Sequence, residues 1–179
     1  MTQHLVITTV GSNRPRICHR IVQLVTQSGC NIVDSRIALF GSEFTLIMLL
    51  SGNNNAITRV ETMLPLLGQE HDLITMTKRT SPHHQPDHLY LLEVSVQSDD
   101  RLGLTEKFTQ FFAEQQIDLH SLSAQTVEQS NLSPENKLFQ LSLSAILPAE
   151  SDQQQLQRDF THLCTTLKVE GTLHFVKHS

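Results

Sequence analysis

Tryptophan is absent from the chain, tyrosine occurs once, and no run of lysine or arginine appears in a sequence with a formal net charge of −5. Proteins that bind the nucleic-acid backbone need a basic face, and proteins that bind single strands need aromatic side chains on which bases stack. The composition therefore disfavours direct binding of nucleic acid.

Long hydrophobic runs are also missing. The longest unbroken apolar stretch is 46–50, which is far shorter than a segment that crosses a bilayer. The first residues lack the basic region and the apolar region of a signal peptide. We therefore expect a cytoplasmic protein that has no contact with a membrane.

Cysteine is scarce, and its spacing suggests neither a disulfide framework nor a zinc site. Cys18, Cys30 and Cys164 are odd in number and form no C-x-x-C pair. Each lies in or beside an apolar pattern, which is typical of a small buried side chain. The histidines of 83–88 could ligate a metal, but they lie in a polar segment with two prolines that we interpret as a linker. We expect no metal and no cofactor.

The chain does contain an internal repeat with an offset of 87 positions. Residues 12–17 (Ser-Asn-Arg-Pro-Arg-Ile) follow the apolar segment 5–10, and residues 99–104 (Asp-Asp-Arg-Leu-Gly-Leu) follow the apolar segment 91–96. After each loop, apolar residues recur at the spacing of one helix face: Ile17, Ile21, Leu24 and Val25, then Leu104, Phe108, Phe111 and Phe112. The repeat predicts two domains, 1–80 and 89–179, joined by a linker at 81–88.

Within each repeat the periodicity predicts the order βαββαβ. Alternating β-branched segments indicate strands, and Ser12 and Asn13 are expected to cap the first helix. The second helix should end near Pro65. This order folds as an antiparallel sheet with both helices on one face. We therefore predict an α+β protein with two tandem ferredoxin-like domains.

The predicted third strand of the first domain is apolar at successive positions, 46–50. Such a run is typical of a strand that is covered on both faces. We expect the open face or the edge of this sheet to be covered by the second domain, by a second chain in a homo-oligomer, or by both.

The loop after the first strand of each domain is the best candidate binding site. A chain that enters a helix there presents free N–H groups and the positive end of the helix dipole, which together favour an anion. Gly103 would let a ligand approach the backbone of the second loop. Arg16 takes that place in the first loop, where it either blocks the approach or donates to a carboxylate.

Catalytic groups are not clustered in these loops. Cys18 and His19 are adjacent on a predicted helix, where neighbouring side chains diverge by about 100° and cannot act together. We therefore do not expect an enzyme.

The loop segments 13–17 (Asn-Arg-Pro-Arg-Ile) and 100–104 (Asp-Arg-Leu-Gly-Leu) resemble the Asp-Arg-Pro-Gly-Ile/Leu signature of the ACT domain, a small-molecule-sensing module with the same order of elements. Segment 29–32 (Gly-Cys-Asn-Ile) resembles the entry of that module into its second strand. As a tandem pair with no enzyme domain attached, the chain resembles the glycine cleavage system transcriptional repressor family, and the segments 31–36 and 43–52 strengthen this likeness.

The resemblance implies an amino-acid-responsive transcriptional regulator that acts by contact with a transcriptional activator protein and is relieved by glycine. An alternative is an ACT-type regulatory subunit that senses an amino acid and controls a metabolic enzyme. In ACT proteins the effector usually lies where the first loop of one domain meets the second strand of its neighbour. Carried over by position, the effector-binding residues would be Ser12, Asn13, Arg14, Arg16, Ile17, Asn31, Ile32, Asp100, Arg101, Gly103, Leu104 and Asp118.

Overall fold

The computed structural model describes residues 1–82, 90–128 and 137–177, and the chain divides into unit 1, Met1–His84, and unit 2, Gln85–Ser179. Only two residues of the predicted linker 81–88 belong to the described part. The histidines of 83–88 and residues 129–136 therefore lie outside the described residues.

Unit 1 has the predicted βαββαβ order: β1 (Gln3–Ser12), α1 (Ile17–Gln27), β2 (Asn31–Phe40), β3 (Glu43–Gly52), α2 (Asn54–His71) and β4 (Ile74–Thr80). Its strands form one antiparallel sheet in the order β2-β3-β1-β4. Alternate side chains of β1 and β3, such as Leu5, Ile7 and Leu46, are buried with residues of both helices. Both helices therefore cover one face of the sheet, as predicted.

Unit 2 repeats this architecture: β5 (Tyr90–Asp99), α3 (Leu104–Glu114), β6 (Asp118–Glu128), β7 (Lys137–Leu147), α4 (Gln153–Leu167) and β8 (Glu170–Lys177). The sheet order is β6-β7-β5-β8. Its core is richer in aromatic residues than that of unit 1, with the Phe160 ring 6.1 Å from that of Phe108 and 6.5 Å from that of Phe112, centroid to centroid. The predicted fold, two tandem ferredoxin-like units, is confirmed.

Helix α2 does not end near Pro65, and that prediction is wrong. Proline has no N–H to donate to the carbonyl of Glu61, so one helical hydrogen bond is lost. Leu64 and Gly68 nevertheless continue the buried face across the proline, and their packing keeps the helix intact. The helix instead continues to His71, and its C-cap is Asp72, which has a left-handed backbone with φ of 55° and donates its N–H to the Gly68 carbonyl.

Candidate functional site

The loop between β1 and α1 is held at both ends by backbone hydrogen bonds. The Asn13 N–H donates to the carbonyl of Ser42 at 3.3 Å, and the Ile17 N–H donates to the carbonyl of Arg14 at 3.4 Å.

Ser12 and Asn13 do not cap α1, contrary to the prediction. The N-cap is Arg16, which has a φ of 71° and makes no side-chain capping hydrogen bond. A left-handed residue turns the chain into the helix here, so the two polar residues stay outside it.

Gly103 takes the same position before α3, with a φ of 86°. No heavy atom lies within 4 Å of the point where a Cβ would stand. Glycine is therefore favoured by the backbone conformation rather than by a lack of space. The space above this loop is open to a small molecule.

The loop arginines reach the C-terminal ends of the other helices. Arg14 donates from Nη2 to the carbonyl of His71, the last residue of α2, at 3.2 Å. Arg101 donates from Nη2 to the carbonyl of Leu167, the last residue of α4. A positive side chain at a helix C-terminus satisfies a free carbonyl and opposes the negative end of the dipole. Both guanidiniums thus hold the loops against the C-terminal ends of the second helices.

A groove of about 380 Å³ lies beside the start of α3. The first helical hydrogen bond runs from the Lys107 N–H to the Gly103 carbonyl at 3.1 Å, so the three N–H groups before it have no acceptor within the helix. They lie at the positive end of the helix dipole. The groove is lined by Asp100, Arg101, Leu102, Gly103, Leu104, Thr105, Ala124, Gln125, Thr126 and Phe139.

Unit 1 has larger side chains at the corresponding positions. Ala124 pairs with Leu141 and Thr126 with Phe139 in unit 2, whereas Ile37 pairs with Leu46 and Leu39 with Phe44 in unit 1. By this register, Ile37 and Leu39 stand where unit 2 has Ala124 and Thr126. Arg16 stands where unit 2 has Gly103. The smaller side chains at these positions, which border the groove, therefore belong to unit 2.

Asn31, Ile32 and Asp118 lie far from the loops of their own units. Asn31 pairs with Ser51, which pairs with His4, at the opposite end of the sheet from Ser12. The separation along β1 is about 26 Å at ~3.3 Å per residue. Asp118 likewise lies at the opposite end of unit 2, in a second groove of about 410 Å³ that also includes Gln116 and Leu119. Neither unit alone brings these residues to its loop.

Sequence reasoning missed the part of the groove formed by β6 and β7. Thr105 follows the loop directly, but Ala124, Thr126 and Phe139 reach the groove only through strand pairing. The available signal was the small size of Ala124 and Thr126 on the helix-covered side of an edge strand, where unit 1 has isoleucine and leucine.

Two cysteines of the described residues, Cys30 and Cys164, are buried. Burial raises the pKa of the Cys30 and Cys164 thiols above the ordinary value, which keeps both in the unreactive protonated form. Within residues 1–82, 90–128 and 137–177, no group of three or more His, Cys, Asp or Glu side chains could hold a metal ion. In that same part of the chain, every helix is too short or too polar to span a bilayer.

Comparison with known proteins agrees with the fold and gives the family. A family model of the ACT domain matches residues 3–78, which is nearly all of unit 1. The glycine cleavage system transcriptional repressors of Escherichia coli (strain K12) and Shigella flexneri are each 38% identical over 99% of this chain and 93% of their own length.

Two crystal structures share the whole architecture. One, assigned to a glycine cleavage system transcriptional repressor, is 59% identical, covers 99% of both chains and has a TM-score of 0.71. The other, of an unknown protein from Galdieria sulphuraria, is 24% identical and covers 98% of this chain and 99% of its own, with a TM-score of 0.76. At this identity the likeness shows the fold alone. The relatives from Escherichia coli and Shigella flexneri are transcriptional repressors rather than enzymes. The chain belongs to the glycine cleavage system transcriptional repressor family.

Proposed function

We propose that this chain senses a small amino acid, with glycine as the first candidate, and regulates transcription in the cytoplasm by contact with an activator protein. The observation that carries the sensing role is the groove of unit 2, where the free N–H groups of α3 meet the small residues of β6. The net charge of −5 favours a protein partner over DNA. The names of the relatives supply the regulatory role.

The chemistry of the groove suits an amino-acid zwitterion. The N–H groups that begin α3 would donate to the carboxylate, aided by the helix dipole. The carboxylate of Asp100, which lines the groove, would accept from the ammonium group. A volume of about 380 Å³ is at the lower end of the range for small-molecule sites.

Titration calorimetry with glycine, serine and alanine tests the sensing role. We expect glycine to bind to the wild-type protein, and Thr126→Leu, which introduces the side chain that unit 1 has at this position, to weaken binding at least about tenfold. The matched control, Leu39→Thr, makes the reverse change in unit 1 and should leave the affinity unchanged. Absence of heat with all three amino acids at millimolar concentration would contradict direct sensing. Unchanged affinity of Thr126→Leu would place the site elsewhere.

Affinity capture from cell extract tests the partner. We expect the wild-type chain to retain a transcriptional activator, and glycine to release it. Recovery of a metabolic enzyme as the main bound protein, with no activator, would instead support a regulatory subunit of that enzyme. The two experiments fail separately, since a sensor of glycine can act on either kind of partner.

A further inference from the structure

Six apolar side chains lie on the face of the unit 1 sheet that points away from its helices. We call this group the apolar face, and it consists of Val6 and Val10 of β1, Ile47 and Leu49 of β3, and Ile74 and Met76 of β4, with Thr8 between Ile47 and Met76. The exposed fraction is 45% for Ile47, 75% for Ile74 and 68% for Met76. A contiguous exposed apolar patch on a folded domain usually marks an interaction surface.

Unit 2 shows that the fold itself does not require these side chains. Thr8 pairs with Ile47 and Met76, and the corresponding residue of unit 2, Ser95, pairs with Ser142 and Thr172. By the same register, the six positions of the apolar face are polar in unit 2: Glu93, Gln97, Ser142, Ser144, Glu170 and Thr172. One repeat therefore has a face suited to water, and the other has a face suited to a protein contact.

The helix-free side of the unit 1 sheet is large enough for a symmetric dimer. With strands about 4.8 Å apart and about 3.3 Å per residue, this whole side, which includes the apolar face and the polar side chains around it, covers roughly 600 Å². Two such sides in full contact would bury about 1,200 Å², which is at the lower end of the range for specific interfaces.

One row of charges across the sheet is complementary to itself under a two-fold axis. Asp34 of β2 pairs with Leu49, which pairs with Val6, which pairs with Lys78 of β4. This row has an acid at one edge and a base at the other, and Arg36 in the next row of β2 lies 3.6 Å from the Asp34 carboxylate within the chain. A two-fold axis parallel to the strands exchanges these edges, so Asp34 of one copy lies opposite Lys78 of the second copy.

We propose that two copies of this chain pack the apolar faces of their unit 1 sheets against each other and form an isologous dimer. The apolar centre supplies the contact area, and the Asp34 and Lys78 pairs at both edges set the orientation. A second copy of the chain fits better than an unrelated partner because the row of charges complements itself.

Analytical ultracentrifugation over a range of concentrations tests the contact. We expect the wild-type protein to have twice the chain mass of 20.2 kDa. The variant Ile47→Ser/Met76→Thr, which takes both side chains from unit 2, should weaken dimerisation at least roughly 100-fold. The matched control Met63→Thr/Leu66→Ser changes two exposed apolar residues of α2 and should remain dimeric. A monomer at every concentration, with another segment or protein covering the face, would overturn the proposal. So would a dimer that persists in Ile47→Ser/Met76→Thr.

A charge exchange tests the orientation. Asp34→Lys alone and Lys78→Asp alone place like charges opposite each other and should each weaken the dimer. The double variant Asp34→Lys/Lys78→Asp restores opposite charges and should recover most of the wild-type affinity. Additive losses in the double variant would contradict the two-fold arrangement, even if the apolar face is the contact. Circular dichroism would confirm that all variants fold.

Discussion

Arg16 occupies a backbone conformation that glycine adopts more easily, and Arg16→Gly should stabilise unit 1. Its φ and ψ are 71° and −6°, close to the 86° and 3° of Gly103 in unit 2. A residue with a Cβ loses about 1–2 kcal/mol in this region. Glycine avoids that cost, but its freedom in the unfolded chain offsets about 0.4–1 kcal/mol. We expect the free energy of unfolding to rise by about 0.5–1 kcal/mol.

Urea unfolding followed by circular dichroism measures this change. Arg16→Ala is the matched control, because it removes the guanidinium and keeps the strained backbone, and it should give no gain. The reverse test is Gly103→Ala, which should lower the free energy of unfolding by about 1 kcal/mol. Equal effects of Arg16→Gly and Arg16→Ala would refute the explanation by backbone strain. A loss in both would show that the guanidinium stabilises the loop.

Two other predictions concern stability away from the loops. Phe160→Ala should destabilise unit 2 by about 3–5 kcal/mol, because it removes a ring from the centre of an aromatic core. Amide hydrogen exchange should then become faster in unit 2 only. Equally faster exchange in unit 1 would contradict two separate cores. Hydrogen bonds from Arg79, at 2.9 and 2.7 Å, lower the pKa of the Glu61 carboxyl. The folded state therefore gains stability above the ordinary pKa of glutamate and loses it as the pH falls through the lowered value. Urea titrations should show Glu61→Gln to be less stable than the wild type at pH 7 and equal to it at the acid end, whereas a difference that persists in acid would contradict a role for the charge.

The repeat and the element order could be predicted because both depend on local spacing. Ile17 and Leu104 each begin an apolar helix face that is visible in the sequence. The predictions that were wrong depended on tertiary context. Packing of Leu64 and Gly68 carries α2 through Pro65, and a left-handed Arg16, rather than a polar cap, starts α1.

The candidate site could be predicted only where it is continuous in sequence. Gly103 was recognisable, but Ala124 and Thr126 reach the groove through a strand register that shifts between Leu119 and Ser121. No local pattern reveals such a bulge. The acceptor of the Arg101 guanidinium is 66 residues away in the chain, so its anchoring role was equally invisible in the sequence.

The polar face of unit 2 limits how many copies can assemble. If both sheets of the chain presented apolar faces, each molecule would have two self-associating surfaces, and successive copies could join into an open filament. Unit 2 has Ser142 and Thr172 where unit 1 has Ile47 and Met76, so each molecule has one self-associating surface, the apolar face of unit 1. In the proposed contact, one partner copy therefore occupies the whole apolar face, and assembly ends at a dimer. Divergence of the two repeats thus protects a duplicated domain from polymerising.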